Sequence, residues 1–430
     1  MKYLLVILLL STSQLIVAQS YSSKGLPLLD QANDYYDSLA KQGKHAELAQ
    51  WISVNNRELR ASKLALYAAL EYARAGQADS AAVAVGMALD YGMTNPNILG
   101  KHRELNIVRQ SDHWPSLKQQ LTQLVRRLRQ PTNFAVDTES LATFWPYFHQ
   151  ALKDTTQADS LLSAYVIAGP DATRDFYVQR YLSADNMSRQ MVRQTPNHYL
   201  YTEKVLNPEK LDTIQVQVGQ MMRCFAERYS AAVFPKVYIM PGILNSGGTA
   251  SDLGLYIGGE MFVKTDSMPT DGLNEWQQNA VGKLDRMKYT IMHELMHFQQ
   301  SYQDTARANT LLAGVIKEGV CDFLVTLCAD DTTRSEAVAY LDHPDSIRAV
   351  LHDFQKNMYS EDLSDWMYGN SGKYPTDLGY ALGYKICKSY YERSDDPTEA
   401  LYQLLNTDDF TRILAGSEYG DLVATLPESK

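Results

Sequence analysis

The stretch Ile291-Met292-His293-Glu294-Leu295-Met296-His297-Phe298-Gln299-Gln300 holds two histidines four residues apart, with a carboxylate directly after the first. Four residues is about one turn of α-helix, so His293 and His297 share a face, one above the other. Two imidazoles so placed can reach a single tetrahedral cation, and Glu294 can then address a water on it. The pattern is HExxH; its bland alternative is a pair of histidines on a solvated helix. Apolar Met287, Ile291, Leu295 and Phe298 recur at helical spacing through the motif, which predicts an amphipathic helix with its own buried stripe.

Downstream, the run from Leu311 to Leu324 predicts a second helix that presents Glu318, 21 residues beyond His297. That interval accommodates a turn and an antiparallel return, so Glu318 can complete a His, His, Glu set whose fourth position is left to water. Asp322 follows one turn later and can accept the outer N–H of a ligand histidine, fixing its tautomer. Cys321 and Cys328, seven apart on the same helix, suit core packing better than metal binding. Upstream, apolar residues from Leu211 to Tyr229 recur at three and four, predicting a helix that ends before Pro235. Val237-Tyr238-Ile239-Met240 and Gly254-Leu255-Tyr256-Ile257 read as strands around the loop Asn245–Asp252. That loop lacks the lysine and spacing of a P-loop, and Gly369-Asn370-Ser371-Gly372-Lys373 fails the same pattern.

Residues 24 to about 130 are rich in Ala, Leu, Gln, Lys and Arg and read as helical throughout. Tyr35–Ala46 is echoed by Leu70–Ala81, and the glycines Gly43 and Gly76 lie 33 residues apart, close to the 34-residue period of tetratricopeptide helix pairs. In that reading the glycines sit in turns, and Ala73, Ala81 and Ala88 let neighbouring helices approach; a generic helical bundle is the alternative. The helical pattern stops at Pro131-Thr132-Asn133, taken as a boundary. Lys2, apolar Leu4–Leu10 and the small-residue zone around Ala18 read as a secretory signal peptide over 1–19. Polar Ser11, Ser13 and Gln14 keep that stretch below the roughly 20 residues a membrane span needs. The expected organisation is therefore a signal peptide (1–19), a helical repeat domain (20–130) and a catalytic domain (131–430).

The chain of 430 residues carries a net charge of -10 and is 45% apolar, a globular composition whose acidity argues against a nucleic-acid binder. Its four cysteines include no CxxC pair, so neither a disulfide framework nor a cysteine-zinc module is expected.

His293-Glu294-x-x-His297 with Glu318-x-x-x-Asp322 resembles the gluzincin metallopeptidases, the thermolysin-like class. A closer resemblance is to a family of predicted zinc-dependent proteases common in Bacteroidetes and related to a gliding-motility lipoprotein. It is carried by Val237–Gly242, Asn245–Thr249, Leu255–Met261, His293–Gln300, Lys317–Phe323, and Asp377–Tyr380 with Gly383–Lys385, and covers roughly residues 140 to 420. The resemblance implies zinc ligands His293, His297 and Glu318, general base Glu294 and an outer-shell Asp322. It also implies a Tyr or His donor to the oxyanion. Tyr384 is favoured narrowly over Tyr380, one turn before it, with His343 and His352 as alternatives and aromatic core packing as the competing reading of both tyrosines.

These readings give a mostly helical α+β fold: a helical repeat domain, then a zincin-like metallopeptidase domain with a small mixed sheet and an active-site helix. The expected function is an exported, periplasmic or extracellular zinc (Zn2+) metallopeptidase acting on a peptide or protein substrate, with no membrane span left after signal cleavage. The N-terminal helices would recruit a protein partner, and Leu255-Tyr256-Ile257 is a candidate sheet edge for an extended peptide. The rival is a non-catalytic metal- or peptide-binding scaffold of the cell envelope.

Overall fold

The computed structural model describes residues 33–302, 309–329, 335–368, 373–407 and 409–426. The expected signal peptide and the Gly369–Gly372 stretch lie outside them. The described fold is mostly helical α+β with one small mixed sheet. Among the described residues no helix is long and apolar enough to cross a membrane.

The chain divides into two compact units. One runs up to Gln215 and resumes from Phe234 to Lys288; the other combines Val216–Val233 with the chain from Tyr289 onward. This division does not fall at residue 131. The first unit takes in both the N-terminal helices and the sheet, and buried polar contacts run between them. Asp252, in the loop before the last strand, is 2% exposed and receives Lys63 Nζ at 3.1 Å, Lys101 Nζ at 3.3 Å and Asn95 Nδ2 at 3.0 Å. Asp175, also buried, accepts the backbone N–H of Lys63 at 2.8 Å and the Tyr256 hydroxyl at 3.3 Å. Charges taken out of water must be paired in this way, so the helix carrying Lys63 is tied to the sheet region rather than left as a separate module.

In that unit the helices Asn33–Lys41 and His45–Leu59 are joined through Gly43, and Ser62–Arg74 and Ala78–Asp90 through Gly76. Both glycines have positive φ, 68° and 73°, a conformation that costs a β-carbon and closes a helix end. Ala81 and Ala88 are fully buried and Ala73 nearly so. The sheet has the order β1-β2-β4-β3, with β1 Val136–Asp137, β2 Val237–Met240, β3 Gly248–Ala250 and β4 Leu255–Gly258. β1, β2 and β4 run parallel, and β3 lies antiparallel on β4 with Thr249 opposite Tyr256. The strand β4 is therefore interior, buried along its whole length and paired on both sides. Its expected role as a free edge for a peptide does not hold, because its backbone donors and acceptors are already used.

The second unit is built on the helices Leu311–Cys328 and Leu378–Glu392. They cross at glycines: a β-carbon on Gly319 would fall 2.0 Å from the Gly383 carbonyl carbon, and one on Gly383 would fall 1.9 Å from Val315 O. Only bare backbones pack that closely. Gln299 is buried and locks the chain after the HExxH helix to Val233, accepting from its N–H and donating to its carbonyl, both at 2.9 Å. Cys328 does not simply pack in the core. It forms a disulfide with Cys224, with Cα atoms 5.6 Å apart and a sequence separation of 104, a pairing that spacing along one helix could not disclose.

Candidate metal centre

HExxH lies on the helix Met287–His297. Met287, Ile291, Met292, Leu295 and Met296 are fully buried, which pins one face of the helix and turns His293 and His297 toward the neighbouring helix. The imidazole centroids are 5.0 Å apart. Leu311–Cys328 begins with Thr310 as its N-cap, the side chain accepting from Ala313 N–H at 3.3 Å, and its apolar residues Ile316 and Val320 are buried on the side away from Glu318.

These two helices bring Glu318 to the histidines. Its Oε2 lies 3.2 Å from His293 Nε2 and 3.4 Å from His297 Nε2. The three side chains are only 17–22% exposed. Asp322, on the outer rim, takes His293 Nδ1 at 2.7 Å, so the nitrogen facing Glu318 is the one free for a ligand bond. On the other histidine, Nδ1 meets Gln300 Oε1 at 3.1 Å and Cys321 Sγ at 3.5 Å. Cys321 is fully buried and, with His293 and His297, offers three ligand atoms within 4.8 Å of one another.

The donor set suits zinc. Tetrahedral bonds of about 2.0–2.1 Å imply an edge of about 3.3–3.4 Å between ligand atoms, and the two Nε2 to Oε2 separations bracket that value. Without a cation the same approach is an ion pair. Burial opposes charge on His293, but Asp322 and Glu318 outweigh it and hold the imidazole up to about 10. Burial likewise opposes charge on His297, and the contacts of Cys321 and Glu318 raise it well above the ordinary imidazole range. Glu318 resists burial through the two histidines and is held down to about 2. Burial pushes the Cys321 thiol up to about 11.

Residues 261–411 match a family described as “Predicted Zn-dependent protease (DUF2268)”. The match spans HExxH, Glu318, Asp322 and both candidate tyrosines, and covers about a third of the chain. No curated protein and no solved structure matches the chain significantly.

The remaining expected residues are distributed unevenly. Glu294 is half-buried, one position after His293. The ring of Tyr380 lies 6.3 Å from that of His293, while Tyr384 is half-buried one turn further along the same helix. His343 is exposed, and His352 contacts Lys356 at 3.2 Å and Asp353 at 3.8 Å. The contacts of Gln300 and Cys321 with His297 escaped the sequence reading; Cys321 follows Glu318 by three residues, a spacing that returns a side chain to the same helix face, whereas Gln300 lies just past the end of the HExxH helix.

Proposed function

We propose that this chain is an exported zinc-dependent metallopeptidase of gluzincin type, with His293, His297 and Glu318 as ligands. One observation carries the reading: a single oxygen of Glu318 lies at tetrahedral-edge distance from the Nε2 atoms of both histidines. The match to a predicted Zn-dependent protease family supports the reaction class. Zinc, when bound there, supplies a Lewis acid that polarises a peptide carbonyl and acidifies water. Glu294 accepts the proton of the attacking water and returns it to the leaving amine. Asp322 accepts a hydrogen bond from Nδ1–H of His293 and keeps its Nε2 lone pair directed at the site.

The tyrosines of Leu378–Glu392 supply the donor to the developing oxyanion. The ring of Tyr380 beside His293 supports Tyr380 for this role ahead of Tyr384, the tyrosine favoured from sequence. The Cys224–Cys328 disulfide supports export, since such bonds persist in oxidising compartments. The helices between Asn33 and Asp90 serve partner recruitment in this reading.

Purified protein should carry about one zinc per chain, and His297→Ala should strip most of it. Glu294→Gln should keep the metal and abolish cleavage of an unfolded protein substrate. Tyr380→Phe should lower kcat about 100-fold or more, and Tyr384→Phe much less. Zinc-loaded protein that cleaves no member of a broad peptide library would favour the scaffold instead.

A further inference from the structure

We infer that Gln300 is a positioning residue for His297, doing for that ligand what Asp322 does for His293. The inference rests on the zinc-ligand reading above, and its argument is one of donors and acceptors. Gln300 Nε2 lies 2.6 Å from the backbone carbonyl of Lys317. A carbonyl oxygen can only accept, so the amide nitrogen must face it and the amide oxygen must face the other way. That oxygen lies 3.1 Å from His297 Nδ1 and can itself only accept. Nδ1 therefore carries the proton, and in the neutral imidazole the lone pair is left on Nε2, the atom 3.4 Å from Glu318 Oε2.

The anchor carbonyl belongs to Lys317, the residue directly before Glu318. The helical turn that presents the carboxylate thus also sets the amide that sets the tautomer of the second histidine. Gln300 Nε2 also reaches Cys321 Sγ at 3.3 Å, and Sγ lies 3.5 Å from His297 Nδ1. The thiol flanks this chain of hydrogen bonds, but as a weak acceptor it does not displace the amide oxygen. Gln299, one position earlier, faces away from the site and holds Val233 instead. Adjacent glutamines therefore serve different ends, one the fold and one the ligand.

The experiment compares zinc affinity of the full chain as wild type, Gln300→Leu, Gln300→Glu and His297→Ala, by competition with a chelating dye, alongside melting of each zinc-free protein. Gln300→Leu should bind zinc about 10–100-fold more weakly, as loss of an outer-shell partner does, with zinc-free melting little changed. Gln300→Glu should recover most of that affinity, because a carboxylate accepts from Nδ1–H although it cannot donate to Lys317. Wild-type affinity in Gln300→Leu, with binding lost in His297→Ala, overturns the inference and spares the ligand set. Affinity in Gln300→Glu no better than in Gln300→Leu also overturns it, since the amide would then matter only as a tie to Lys317. Zinc binding undiminished in His297→Ala, or absent from wild type, sinks the ligand reading and this inference with it. Should Gln300→Leu not fold, 15N-histidine spectra of the zinc-loaded wild type decide: a proton on His297 Nδ1 supports the inference, and its absence overturns it.

Discussion

Glu318 stands between two imidazoles whose protons it shares when no cation is present, and this dictates how the site responds to pH. His293 is held up to about 10 and His297 well above the usual range, with burial opposing both and the neighbouring acidic groups prevailing. Their stabilisation of the zinc-free protein is complete below the ordinary value of 6.5 and is lost as pH rises through about 10. That of Glu318 is present above 4.5 and lost as pH falls through about 2. A ligand bond needs the deprotonated imidazole, so zinc must displace these protons. Zinc affinity should therefore climb steadily between about pH 6 and 9, and a flat profile in competition titrations over that range would contradict the proton linkage. The two possible third ligands separate just as clearly. Cys321→Ala should leave zinc affinity within severalfold of wild type, whereas Glu318→Ala should weaken it beyond the ~10–100-fold of an outer-shell change. The reverse outcome would move the third ligand to the thiol.

At the level of elements, the crossing of Leu311–Cys328 with Leu378–Glu392 sets where Tyr380 stands relative to His293. Gly319 and Gly383 permit that crossing because neither has a β-carbon to hold the backbones apart. Gly319→Ala should push the helices apart, costing about 1–3 kcal/mol or more in urea unfolding, and should depress kcat more than zinc content, because His293, His297 and Glu318 lie on Met287–His297 and Leu311–Cys328 while the tyrosine recedes with Leu378–Glu392. Unchanged stability would mean that the crossing relaxes freely. The glycine in Lys317-Glu318-Gly319 is visible in the sequence, but its reason is not, since the partner backbone lies 64 residues away. The same limit applies to β4. Its apolar run announced a buried strand, but strand order alone decides whether a strand is an edge, and β3, formed within the segment read as the loop Asn245–Asp252, folds back onto it.

Across the whole molecule, the N-terminal helices and the sheet region are linked by charges that meet only in three dimensions. Asp252 lies 189 residues from Lys63 and 151 from Lys101, and although burial disfavours its ionised form, these lysines hold it well below the ordinary carboxylate range. Asp252→Asn should destabilise the first unit by about 3 kcal/mol at neutral pH, since it leaves a buried lysine uncompensated. The penalty should be full above the ordinary value of 3.8 and shrink as pH falls below it, where the unfolded chain takes up a proton that the folded one refuses. Urea titrations of both proteins at pH 7 and pH 3 check the size and the sign. The sequence by itself determined the mostly helical α+β class, the helix bearing His293 and His297 and the strands around the glycine loop, because each is written in local periodicity and turn chemistry. Matching of residues 261–411 to a predicted Zn-dependent protease family agrees with the chemistry that HExxH announced, over a shorter stretch than the resemblance had spanned. Only the tertiary structure decided which tyrosine faces His293, that Cys224 and Cys328 join, that Gln300 and Cys321 close around His297, and where the compact units divide. Those outcomes depend on side chains distant in sequence competing for the same buried space, and no local pattern encodes who wins.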